Sequence, residues 1–186
     1  MKNKTLISFK QPLFALALLF SSNSFASTEL IGGDMEFKGV VVAHGCTIVA
    51  GDENKVVDFR QISAKDLYTF KKSKPVAFSI SLENCSQDVY KSVTITLGGT
   101  EHPSMSDHLA VTGTQGEDPK SIGIVFLDQY QNKVKLNKPV STQSLKNDRI
   151  QFNFTTYVEA SDDAIKNQTL LTGPFQGQAT YTLNYQ

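Results

Sequence analysis

Apolar and polar residues alternate along most of this chain, and the period of two they keep is that of strands with one face buried. Just past the apolar N-terminus, residues 31–38 place Ile31, Gly33, Met35 and Phe37 on one side and Gly32, Asp34, Glu36 and Lys38 on the other. The pattern continues through Val40, Val41 and Val42 to Val49, with a break at Gly39. A glycine inside a strand pattern marks a bend or a change of sheet, so 31–38 and 39–49 are read as two strand-like pieces.

Further along, Val76, Phe78, Ile80 and Leu82 share one face of the clearest core strand, which Asn84 interrupts beside Cys85. Val56–Phe59 gives a short strand signal after turn residues 51–54, and 62–70 reads as a loop with one helical turn. Ser92–Leu97 forms another strand, ended by Gly98-Gly99, and 100–120, apolar only at Leu109-Ala110-Val111, reads as a long polar loop carrying one short strand. Ile122, Ile124 and Phe126 alternate before a turn at 128–132 and a return through Val134–Leu136, which predicts a hairpin. Arg149–Val158 carries Ile150, Phe152, Phe154 and Thr156 on one face, and polar residues 159–168 end it. The last strand runs from Phe175 through Gly177, Ala179, Tyr181 and Leu183 to Tyr185, one face unbroken to the last residue but one. Many short strands, turns between them and no convincing helix predict an all-β sandwich.

The first 26 of the 186 residues change the picture of where this sandwich works. Lys2 and Lys4, the apolar run Leu13–Phe20 and the small residues of Ser24-Phe25-Ala26 form a secretory signal peptide, with Ser27 first in the mature chain. The apolar run is too short to span a bilayer, and no later segment is apolar enough to do so. Export makes a disulfide between Cys46 and Cys85 the default; a metal or redox pair lacks a Cys-x-x-Cys spacing and has only His44 close by. Charge is balanced, 18 Lys and Arg against 18 Asp and Glu, which leaves no basic field for nucleic acid or an anionic membrane.

Candidate catalytic chemistry is thin. His44, His102 and His108 are the three histidines, the last two in a polar loop with Ser104, Ser106 and Asp107. No nucleophile motif, paired-histidine spacing or oxyanion-type glycine turn accompanies them, so no catalytic, cofactor or metal site is assigned and no enzyme activity is expected.

Four features in order resemble the pilin subunits of the chaperone-usher pathway, of the type 1 and P-fimbria kind. They are Gly32-Gly33-x-Met35-x-Phe37-x-Gly39-x-Val41-Val42-x-x-x-Cys46, Phe78-x-Ile80-x-Leu82-x-x-Cys85, Gly123–Asp128 and the tail with penultimate Tyr185. The resemblance covers the whole chain and implies an incomplete immunoglobulin-like sandwich that lacks its last strand. It also implies a 27–38 extension, a pilin domain from 39 to 186, and donor-strand complementation. Carried over, the donor positions are Ile31, Gly33, Met35 and Phe37, and the accepting C-terminal strand holds Phe175, Gly177, Ala179, Tyr181, Leu183 and Tyr185. The partners so implied are a periplasmic chaperone, an outer-membrane usher and neighbouring subunits, in a fimbria on the bacterial surface. A secreted sugar- or receptor-binding adhesin module is the alternative. The extension, and the lack of room for a second domain, favour a polymerising subunit, with a lean toward a minor one.

Overall fold

The computed structural model describes residues 35–41, 45–113, 120–170 and 172–186. By its internal contacts the chain divides into Met1–Val40 and Val41–Gln186. The predicted leader, Ile31, Gly33 and His44 lie outside the described residues. In the first unit residues 35–40 are described: they carry no strand, Met35 and Phe37 are exposed, and Lys38 pairs with Glu36 at 2.8 Å.

The second unit is built from antiparallel strands. β1 (Thr47–Ile48), β2 (Val76–Glu83), β5 (Ile122–Leu127) and β7 (Ile150–Ala160) form one sheet in the order β1-β2-β7-β5. β3 (Ser92–Gly99), β6 (Lys138–Ser144) and β9 (Ala179–Tyr185) form a second, β6-β3-β9, and β4 (Thr112–Gly113) pairs with β8 (Phe175–Gln176). The inward residues are those the alternation marks. Ile80 and Leu82 of β2, Val93, Ile95 and Leu97 of β3, and Phe152 and Phe154 of β7 are buried in one apolar cluster. Phe78 stacks on Phe154 across the β2–β7 pair, ring centroids 5.3 Å apart, and meets Phe126 edge-on at 6.2 Å. Cys46 and Cys85 form a disulfide between residues 39 apart in sequence.

Several expectations are corrected. Two helices are present, α1 (Ala64–Phe70) and α2 (Asp162–Lys166), where one turn and a polar strand end were expected. Both are specified by their caps rather than by an apolar stripe. Ser63 Oγ accepts from the Asp66 N–H and Ser161 Oγ from the Ala164 N–H, with acidic residues in each first turn. Each buries a single side chain, Leu67 or Ala164, too little to give a helical period.

Val56–Phe59 is not a strand; Asp58 Oδ1 accepts the Arg60 N–H at 2.7 Å and turns the chain there. Of the 39–49 piece, the described residues form a strand only at Thr47–Ile48, flanked by backbone hydrogen bonds from Val49 N–H to Ser81 O and from Ser86 N–H to Gly45 O. The short strand of the long loop falls at Thr112–Gly113, with Leu109 joined to Ile124 by an isolated bridge.

The hairpin after β5 begins as expected: Asp128 Oδ1 accepts the N–H groups of Tyr130 and Asn132, both at 2.8 Å, and the Val134 N–H reaches Phe126 O at 2.8 Å. It then stops, because Asn137 at φ 59° sends the chain across to the other sheet as β6. That strand was not expected. It lies at a sheet edge, where Pro139 is tolerated and one face need not be apolar. The expected continuous last strand is also two pieces, β8 and β9, separated at Gly177-Gln178.

Candidate functional site

The site lies along the outer edge of β9. β9 pairs along one edge with β3, from Gly99↔Ala179 to Val93↔Tyr185, and no strand pairs with its other edge among the described residues. The ladder fixes which groups that edge presents. Gln186 and Ser92 exchange both backbone hydrogen bonds, each at 3.0 Å. In an antiparallel pair such residues alternate with those whose N–H and C=O point away from the partner. The outward groups on β9 therefore belong to Ala179, Tyr181, Leu183 and Tyr185. Unpaired backbone groups of this kind need a partner or water.

Beside this edge opens a groove of about 660 Å³. One wall is β9 with the residues just before it, Gly177 to Tyr181, and the other is the strandless segment Glu53–Phe59. Its floor is apolar, with Phe78, Ile80, Ile124 and Phe126 reaching it from the other sheet. Gly177 is glycine for lack of space: a Cβ there would lie 2.8 Å from Ile124 Cδ1 and 3.2 Å from Leu109 Cδ2. The backbone thus rests directly on the floor, and the break between β8 and β9 occurs there.

The six C-terminal residues singled out in the sequence divide between three surroundings. Gly177, Ala179 and Tyr181 line the groove. Leu183 and Tyr185 are half-buried against the core, with the Tyr185 ring lying over Gly45, where a Cβ would collide with it, and 5.5 Å from the Tyr90 ring. Burial pushes the Tyr185 phenol up, partly offset by a backbone hydrogen bond at Cys46. Phe175 belongs to β8 and its ring lies 6.2 Å from that of Phe59.

Asp52 is the residue the sequence did not single out. It is buried in the turn after β1, and its carboxylate accepts the Ser81 N–H at 2.7 Å and pairs with Lys55. The Lys55 hydrogen bond holds its carboxyl below the ordinary 3.8, ahead of the opposing cost of burial. Its backbone carbonyl accepts the Tyr181 hydroxyl across the groove at 3.0 Å. Burial, then the charges of Glu53 and Asp52, raise the Tyr181 phenol.

The loop histidines hold structure. His102 and His108 are both buried; His108 Nδ1 lies 2.7 Å from Ser106 O and its Nε2 lies 3.3 Å from Glu159 Oε2. Lys71, the left-handed cap of α1, bridges Glu159 at 3.5 Å and Asp162 at 2.7 Å. This network pins the 101–109 loop to β7 and to the start of α2. No helix among the described residues is long and apolar enough to cross a membrane.

Comparison with known proteins agrees with this architecture. The family described as fimbrial protein matches residues 35–186. A protein of Proteus mirabilis strain HI4320 described as minor fimbrial subunit PmfF is 70% identical over 169 residues, 91% of this chain and 93% of that one. The fimbrial adapter PapK of Escherichia coli is 29% identical over 177 residues, 91% of this chain and 96% of its own length. In fold, the chain is similar to the crystal structure of the P pilus rod subunit PapA, with a TM-score of 0.64 and 23% identity over 77% of this chain and all of that one. The chain therefore belongs to the fimbrial protein family, the structural subunits of cell-surface fimbriae.

Proposed function

We propose that this subunit polymerises by strand addition. The groove beside β9 accepts the N-terminal extension of a neighbouring subunit, and the chain's own residues 27–38 are donated in turn, from a pilin domain that begins at 39. The observation that carries this reading is the unpaired β9 edge, with four residues' backbone groups pointing outward over an apolar floor. An extended segment pairing there would satisfy those groups and bury every second side chain. The donated segment has the matching pattern, Ile31, Gly33, Met35 and Phe37, and the two of these that are described stand 77% and 84% exposed. Burying Ile31, Met35 and Phe37 contributes on the order of 1.5–3 kcal/mol each.

Before a neighbour arrives the same edge needs cover, and a periplasmic chaperone supplies it; release and exchange take place at an outer-membrane usher. The 70% identity to a minor fimbrial subunit supports a minor subunit, with a shaft pilin as the alternative. A direct test is Ala179→Pro, which removes one outward N–H and leaves the inward ladder to β3 intact. Capture by the chaperone in the periplasm should fall, by up to about tenfold for one hydrogen bond. Capture at the wild-type level would contradict strand addition at this edge.

A further inference from the structure

The Tyr181 hydroxyl crosses from β9 to the far wall of the groove and ends on the Asp52 carbonyl. This acceptor is held in place. The Asp52 carboxylate is fixed to the β2 backbone through the Ser81 N–H and is paired with Lys55, so the turn that carries the carbonyl cannot follow the tyrosine if the two walls part. The tyrosine also sits within the run of residues whose backbone groups face the open edge, midway between the groove-lining Ala179 and the core-packed Leu183. A strand added at that edge lies about 4.8 Å from β9 and turns alternate side chains inward. The inward side chain next to Tyr181 needs the space that the tyrosine ring and its hydrogen bond now span.

We propose that the Tyr181–Asp52 hydrogen bond is a latch that ties the two walls together in the unfilled subunit and must open for an incoming strand to seat. The proposal rests on the strand-accepting reading given above and adds a control on it. The latch holds the walls together while the groove is empty, and it slows filling. Rotation of one tyrosine side chain opens it, since Asp52 is anchored.

The test uses the full mature chain diluted from denaturant without chaperone, so that its groove is unfilled, mixed with a synthetic peptide of residues 29–40, and measures the rate of peptide incorporation. Tyr181→Phe keeps the ring and removes the hydroxyl. Incorporation should become about 2- to 12-fold faster, the rate equivalent of one ordinary hydrogen bond. Lys55→Met, at a residue of the facing wall whose ammonium pairs with Asp52, should accelerate it to a smaller degree and add nothing in the Tyr181→Phe background. Equal or slower incorporation by Tyr181→Phe overturns the latch and leaves strand acceptance standing. If that variant fails to accumulate, an unchanged rate for Lys55→Met overturns it instead. Failure of the wild-type chain to take up the peptide at all would remove the strand-accepting reading itself.

Discussion

A subunit that lacks residues 27–38 is expected to reach the periplasm, bind its chaperone and enter no fibre through its own N-terminus. The deleted residues include Ile31, Gly33, Met35 and Phe37 and lie in the unit Met1–Val40, whereas the buried cluster of the second unit begins at Cys46. The groove beside β9 is built from residues 48–181 and keeps every one of its walls. Folding and chaperone capture should therefore survive the deletion. Addition to the next subunit should not, because three large apolar side chains worth on the order of 1.5–3 kcal/mol each are lost. The backbone bonds of the donated strand go with them, at about 0.5–1.5 kcal/mol apiece. Losses of that size leave no measurable assembly. Fibre yield after shearing, with the chaperone-bound monomer measured in the same cells, separates a failure to assemble from a failure to fold. Fibres at wild-type yield would contradict donation by this segment.

Breaking the disulfide should have the largest effect on the stability of the fold. Cys46 and Cys85 are 39 residues apart, and a crosslink closing a loop of that size restricts the unfolded chain by roughly 4 kcal/mol on the chain-entropy account. The bond also joins the start of β1 to the end of β2, next to Gly45, on which the Tyr185 ring rests. Its loss frees the wall against which the end of β9 packs. Replacing both cysteines by serine should lower the unfolding free energy of the strand-filled subunit by about 3–4 kcal/mol, read from denaturant midpoints at constant slope. A change under about 1 kcal/mol would place the constraint elsewhere in the fold.

Most of the strands that could be read from the sequence are those buried on one face. β2, β3 and β7 alternate because each packs one face on the core, and Thr156 keeps its place on the inner face by donating its hydroxyl to Val125 O at 2.8 Å; β5 is buried on both faces, Val125 as fully as Ile124, and is legible as a short apolar run. β6 escaped because an edge strand with Pro139 and one half-buried apolar residue, Val140, leaves no alternation to read. The helices escaped because caps specify them. The row from Phe175 to Tyr185 was legible as a face, but its division was not: a strand that passes from one partner to another at Gly177 keeps its parity throughout. In the sequence Asp52 reads only as a turn residue, since its partners, Ser81 and Tyr181, lie far along the chain. Pairing over such distances has no local signature.

The open edge of β9 is the centre of this account, and supplying the missing strand in solution tests it most directly. The mature chain is taken up in denaturant and refolded alone, with a peptide of residues 29–40, or with the same peptide carrying serine at the positions of Ile31, Met35 and Phe37. The account predicts a chain that is unstable alone, is raised to high denaturant resistance by the native peptide and is left unchanged by the serine peptide. A chain equally stable in all three would contradict it, for its sandwich would then be complete without a neighbour.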